Sequence, residues 1–216
     1  MMKLKMSLVT GVLVCSLPFV ASAAIFAESG DAGQSLATAQ ALPNGTSVVN
    51  GSLSSLSADL FSFGWGGGGF YVSTVGTPWD SQLFLFNSSG LGIQGNDDGI
   101  AYAGPAYLQL PSLAAGNYFL GVSGYDYDPY DTNSALMFTS YPYGPLYGPL
   151  TSAPLGDWAG GDYSPSNYTI TFASITGQGQ IINVNPVGTV PEPATMLLMG
   201  IGLAGLVGAR KKKMQQ

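Results

Sequence analysis

Asp59-Leu60-Phe61-Ser62-Phe63-Gly64-Trp65, followed by Gly66-Gly67-Gly68-Gly69 and then Phe70-Tyr71-Val72-Ser73-Thr74-Val75, decides the fold class. In the first stretch the rings at 61, 63 and 65 fall on one face of an extended chain, whose side chains alternate with period two. A helix would scatter the same rings around its axis. The glycines between two such runs read as a hairpin loop joining neighbouring strands. Gly64, Gly66 and Gly69 also satisfy G-x-G-x-x-G. A strand rather than a helix follows them, so no helix N-terminus is offered to a pyrophosphate.

The same alternation recurs on both sides. Strands are expected over 47–53, 59–65, 70–76, 82–87, 106–110, 117–123, 136–139, 168–173 and 181–184, with a short helical turn over 35–40. Gly and Pro recur between these runs too often for long helices. Many short strands separated by turns predict an all-β domain, a β-sandwich or jelly roll.

Charge narrows the function. The chain has 216 residues, a formal net charge of −6, no His and one Cys. Its six basic residues are Lys3, Lys5, Arg210, Lys211, Lys212 and Lys213, so none lies between Lys5 and Arg210. Nucleic acid is excluded as a partner, because nothing in the body can neutralise phosphates. Phosphoryl transfer lacks its cationic clamp. Without imidazole, neither Ser-His-Asp nor Cys-His catalysis has a base, and histidine zinc sites are excluded as well.

The two ends read as addresses. Residues 1–23 carry Lys3 and Lys5, an apolar run over 8–20, and Ala21-Ser22-Ala23. That layout is a secretory signal peptide helix with cleavage after Ala23, the alternative being an uncleaved anchor. Cys15 lies inside the apolar run, so the mature chain has no thiol and no disulfide. From Ala194 to Ala209 runs an uncharged apolar stretch, followed directly by Arg210-Lys211-Lys212-Lys213. As a single transmembrane helix it spans ~24 Å at ~1.5 Å per residue, with the basic cluster snorkelling on the cytoplasmic side of the inner membrane.

Val190-Pro191-Glu192-Pro193 stands just before that helix. Pro-Glu-Pro, an apolar helix and a terminal basic cluster together resemble the PEP-CTERM sorting signal. The resemblance implies exosortase as partner, retention at the membrane until processing, and a host that makes exopolysaccharide. Two prolines also remove backbone donors and favour an extended, accessible segment. The alternative is a plain C-terminal anchor with a proline-rich collar. The organisation expected is a signal peptide over 1–23, a β-sandwich over 24–178, a linker over 179–189 and the sorting signal over 190–213.

The body resembles a second family. Asp31-Ala32-Gly33-Gln34-Ser35-Leu36-Ala37-Thr38-Ala39-Gln40, Gly51-Ser52-Leu53 and Asp59-Leu60-Phe61-Ser62-Phe63 look like the opening of a pre-peptidase C-terminal (PPC) type β-sandwich. Asp80-Ser81-Gln82-Leu83-Phe84-Leu85-Phe86-Asn87, Asn96-Asp97-Asp98-Gly99, the run from Leu113 to Ser123 and Tyr125-Asp126-Tyr127-Asp128-Pro129 continue in order. The resemblance covers about residues 28–175 and implies a non-catalytic domain, with calcium or polymer binding in some members. The family's Asp-x-Asp before an aromatic strand is here Ser57-Ala58-Asp59, with Ser in the first place.

Of the twelve acidic residues, all but Glu192 lie between 24 and 190, where no base offsets them. Carboxylates brought together there must repel, stay solvated or share a hard cation, for which calcium is the usual extracellular choice. One candidate set is Asp80 with Asn96, Asp97 and Asp98. A second is Asp126, Asp128 and Asp131, which lacks the Gly and Glu of an EF-hand loop. A third, implied by the PPC resemblance, joins Glu28 and Asp31 to Asp59. The alternative for each is that Asp residues simply start turns and solubilise loops. Nothing marks two of them as an acid and base flanking a glycosidic bond.

Tyr125, Tyr127, Tyr130, Tyr141, Tyr143, Tyr147 and Trp158 crowd a segment that contains Tyr-Gly-Pro-Leu twice. Rings beside carboxylates suit a polysaccharide-binding face, with Tyr125, Tyr127, Tyr130 and Trp158 as its residues. The alternative is a Pro/Gly loop folded over the sandwich with its tyrosines packed locally. The resulting expectation is an exported, non-enzymatic protein of the cell surface or exopolysaccharide matrix, including biofilms. A carbohydrate-binding module and a calcium-stabilised adhesion or protein-interaction domain are the alternatives.

Overall fold

Phe61, Phe63 and Trp65 all enter one core, from β4 (Ala58–Trp65). The structure is a computed structural model that describes residues 24–99, 104–139, 146–161, 166–174 and 179–182. The described chain is all-β. The signal peptide, the Pro-Glu-Pro segment, the apolar run and the basic tail lie outside the described residues, as do linker residues 183–189.

One five-stranded sheet, sheet A, has the order β1 (Ala24–Ala27), β3 (Thr46–Ser52), β12 (Asn167–Ala173), β5 (Gly68–Ser73), β8 (Tyr107–Leu113). The other, sheet B, has the order β2 (Gln40–Ala41), β4, β9 (Gly116–Gly124), β6 (Ser81–Asn87), β7 (Gly92–Asn96). The β1–β3 and β2–β4 pairs are parallel, the others antiparallel. The alternate residues Phe70 and Val72 from sheet A, and Leu83, Leu85, Leu120 and Val122 from sheet B, fill the space between them with the β4 aromatics.

The glycine run does not close a hairpin. β4 and β5 belong to opposite sheets, and Gly67 and Gly68, both at φ 93°, carry the chain across the sandwich. Aromatic packing accounts for the difference. Phe63 stacks on Phe70 at 6.0 Å between centroids, and Trp65 meets Phe70 edge-on at 5.0 Å, contacts that face each other across two layers. Left-handed backbone is accessible to Gly in either geometry, so composition alone does not separate an arch from a hairpin.

A third layer covers the outer face of sheet B. There β10 (Tyr127–Asp131) and β11 (Leu155–Gly160) pair as a two-stranded sheet. Tyr127, Met137, Phe138, Leu155 and Trp158 bury Ala58, Leu60, Phe84 and Phe86 in a second core. A Cβ on Gly95 would crowd the Phe138 ring, and one on Gly121 the Trp158 ring, so both glycines admit the cover. The segment around Tyr147 pairs with Gly95 and shields the β7 edge.

The turn expected over 35–40 is one turn, closed by Thr38 N–H and Ala39 N–H on the Ser35 carbonyl. The strand expected over 136–139 is reduced to a single bridge between Leu136 and Tyr130, because Met137 and Phe138 turn into the second core. Residues 179–182, expected in the linker, lie along the sandwich. Ile181 is buried and bridges Trp65, while Ile182 N–H donates to the Gly64 carbonyl.

Candidate functional site: two acidic clusters

Glu28, Asp31 and Asp59 come together although 31 positions separate the first from the last. One carboxylate oxygen from each lies within 4.8 Å of the others. β1 runs beside β3, so Glu28 follows its last residue and its amide donates to the Asn50 carbonyl at 2.8 Å. Ala32 N–H donates to Glu28 Oε1 and Ser52 N–H to Oε2, both at 2.8 Å. Asp31 Oδ1 accepts from Gly33 N–H at 2.8 Å, and the Gly33 carbonyl accepts from Leu60 N–H, which ties the loop to β4.

Asp59 is the buried member, at 1% exposure. Tyr168, on β12 of the opposite sheet, donates its hydroxyl to Asp59 Oδ2 at 2.6 Å and stands 3.4 Å from Glu28 Oε2. Burial pushes the Asp59 carboxyl up to about 7; the Tyr168 hydrogen bond opposes this, and the Glu28 and Asp31 charges add to it. Burial, together with the same carboxylates, holds the Tyr168 phenol well above its ordinary value. A Cβ on Gly51 would overlap the Tyr168 hydroxyl and Glu28 Oε2, so only glycine leaves room for the cluster. Oxygens up to 4.8 Å apart suit one ion with Ca–O distances of ~2.3–2.6 Å, and the adjoining cleft between Gly30, Asn50 and Thr169 admits solvent.

The second cluster gathers where β6 begins and β7 ends. Leu83 pairs with Asn96, the last residue of β7, so Asp97 and Asp98 follow directly beside the start of β6. Asp80 immediately precedes β6, with its carbonyl accepting from Tyr125 N–H at 3.1 Å. The third layer adds Asp128, whose Oδ1 accepts from Gln82 Nε2 at 3.0 Å, while Ser123 Oγ donates to Gln82 Oε1 at 3.2 Å. Asn96 Oδ1 accepts from Tyr107 N–H and Asp98 Oδ1 from Gly104 N–H, so these two brace the link to β8. Burial is the leading cause of three upward shifts: Asp97 to about 8, Asp80 to about 6 and Asp128 to about 6.

The set Asp126, Asp128 and Asp131 is dispersed. Asp126 is exposed at φ 62°, and Asp128 joins the second cluster. Asp131 caps a turn, with Oδ1 accepting from Asn133 N–H at 2.8 Å and Ala135 N–H at 3.0 Å; these bonds hold its carboxyl low. Gln82 and Tyr168 were missed at the sequence level, because a lone Gln or Tyr in an apolar strand carries no signal of its own.

The aromatic candidates divide. Tyr127 and Trp158 are buried and stacked at 6.4 Å between centroids, and Trp158 Nε1 donates to the Gln34 carbonyl at 2.8 Å. They are the inner face of the cover and present no ring to a sugar. Tyr125 and Tyr130 are half-buried, and Tyr141 and Tyr143 lie outside the described residues. A pair that the sequence did not single out, Tyr71 and Tyr107, stacks at 6.1 Å on the outer face of sheet A, both half-buried.

Comparison with known proteins adds the tail. No curated protein matches the chain. The family model for the PEP-CTERM protein-sorting motif matches residues 189–213, which hold Pro191, Glu192, Pro193 and the cluster Arg210 to Lys213. The tail therefore carries the PEP-CTERM sorting motif, which implies export and exosortase as the processing partner.

Proposed function

We propose that this chain is a non-catalytic structural protein of the cell surface or exopolysaccharide matrix, made with a signal peptide, held by its C-terminal helix until exosortase acts, and built on a PPC-like sandwich. The observation that carries the reading is the tail, in which Pro-Glu-Pro, the apolar run and the basic cluster fall within the matched residues 189–213. The body supports it. Residues 24–190 contain no Lys, Arg, His or Cys, the side chains that most often serve as bases, nucleophiles or anion clamps. Calcium at Glu28, Asp31 and Asp59 gives the sandwich the positive charge its own side chains lack.

The test is the mass of the mature protein in hosts with and without exosortase. Loss of the residues after the Pro-Glu-Pro segment, only where exosortase is present, is expected. An identical C-terminus in both hosts refutes the sorting reading. Carbohydrate binding is a second reading, favoured by the Tyr71–Tyr107 platform with Gln109 beside it. Polysaccharide pull-down with Tyr71→Ala and Tyr107→Ala checks it, and undiminished retention in both variants removes it.

A further inference from the structure

Asp97 is 2% exposed, and neither carboxylate oxygen receives a hydrogen bond; Asp80 Oδ1 is likewise buried without a donor. Both stand near Gln82, whose Nε2 donates to Asp128 Oδ1 at 3.0 Å where the β10–β11 cover meets sheet B. Asp98 follows Asp97 beyond the end of β7, and Asp128 acts on Asp97 from the cover. Asp126, exposed in the turn before β10, adds its charge next to Asp128. No cation answers these carboxylates, since the chain has no Lys, Arg or His between residues 24 and 190. Nor do they gather closely enough to share an ion; among the described residues only Glu28, Asp31 and Asp59 do. A buried carboxyl with neither a cation nor a donor favours its neutral, protonated form.

We propose that Asp97 is a proton latch for the cover: with a proton it lets β10–β11 lie on sheet B, and without one it drives Asp128 and the cover away. The proton removes one negative charge from the junction and turns an orphaned oxygen into a hydroxyl donor. Ionised, Asp97 is a buried charge that repels Asp128 across the boundary between layers. Asp97 directly follows a strand paired within the five-stranded sheet, whereas Asp128 belongs to a two-stranded sheet laid on it from outside. The smaller sheet, with fewer ladder hydrogen bonds to hold it, is the part that yields.

The sign follows from burial. Burial, then the charges of Asp98, Asp80 and Asp128, push the Asp97 carboxyl up to about 8. Opening the cover exposes it and returns it towards an ordinary 3.8. Within that window the closed form keeps a proton that the open form has lost. Closure is therefore strongest below pH 3.8 and weakens by up to ~10-fold per pH unit until about pH 8. Asp80 and Asp128, both pushed up to about 6, add to the lower part of the window. Between pH 6.5 and 8, Asp97 is the member of the junction that still titrates.

Hydrogen exchange of the full-length chain in detergent and chelator, at pH 6.5 and pH 8 and corrected for the intrinsic rate at each pH, tests the proposal. Linkage allows a change of up to ~30-fold over that step. Protection over β10 and β11 is expected to fall at least fivefold in the parent and less than twofold in Asp97→Asn, whose amide keeps the shape and cannot ionise. The carbon-13 resonance of the Asp97 carboxyl reads the parent by itself and should titrate with a midpoint above pH 6.5. A midpoint at or below 6.5, a smaller loss of protection in the parent, or a loss of twofold or more in Asp97→Asn each overturn the proposal. So does a loss that Asp97→Asn abolishes equally over β3 and β12, because the proton would then hold the whole sandwich and not its cover.

Discussion

Replacing Asp59 with Asn tests the electrostatics of the Glu28 cluster most directly. The amide oxygen can still accept the Tyr168 hydroxyl, so the change removes charge and little else. In the folded chain this carboxyl is pushed up to about 7 from an ordinary 3.8. A folded value above the unfolded one means that the native state keeps a proton the unfolded chain has lost. The stabilisation is therefore complete below pH 3.8 and declines as pH climbs towards 7. Each pH unit in that window costs up to ~1.4 kcal/mol, a ceiling of ~4 kcal/mol over about three units. Repulsion shared with Glu28 and Asp31, and solvent in the adjoining cleft, bring a working figure to ~2 kcal/mol. In a domain of this size that corresponds to roughly 4–8 °C. Calorimetry of the full-length chain in chelator should show parent and variant melting together near pH 4, with the variant higher by about that margin near pH 7.5. Saturating calcium at neutral pH should close or reverse the gap, since an ion at ~100 times its dissociation constant contributes ~2.7 kcal/mol to the parent. A melting difference that stays constant from pH 4 to 7.5 would show that Asp59 is not raised, and the reasoning fails.

Other residues give independent checks. Gly51→Ala puts a methyl group into the Tyr168 hydroxyl and Glu28 Oε2, so the calcium-induced rise in melting temperature should fall by at least half; a full response means the cluster tolerates the displacement. Trp158→Ala removes the ring that packs on Phe84 and Phe86 and should cost ~3–5 kcal/mol in urea unfolding, with a polysaccharide pull-down no different from the parent in native conditions. Lost retention without lost stability would return Trp158 to a binding role. Replacing Pro191, Glu192 and Pro193 together by Ala should leave the protein unprocessed in cells that contain exosortase, as read from its intact mass.

The sandwich was legible because its strands obey one simple rule. Phe61, Phe63 and Trp65, or Leu83 and Leu85, alternate with residues of the other face, and a period of two survives any tertiary arrangement. The third layer was not, since β10 contains Pro129 and two aspartates and reads as a turn; what holds it is Trp158 and Phe138 packed against β6, a contact fixed only once sheet B exists. The acidic residues of both clusters could be named from the absence of bases. Their partition could not: Asp128 belongs with Asp97 through Gln82, 46 positions away, while Asp131 three residues later serves its own turn. The tail was legible as a motif because its three parts are contiguous and need no fold to bring them together.

Gly45 has a role that reaches beyond the sheet. Its carbonyl accepts the Ala24 amide, and its own amide donates to the Ile181 carbonyl. The body is thus entered and left at a single pole, the one where Trp65 lies opposite Gly116. β9 leads away from it to Gly124, opposite Ser81, a run of about 25 Å at ~3.3 Å per residue. At that far pole stand Asp59 and Asp80, and with them both acidic clusters. A tether in either flanking segment would suspend the sandwich by the pole opposite both clusters. Its anionic crown would then point outward, where dissolved cations and the polymers they bridge are met first.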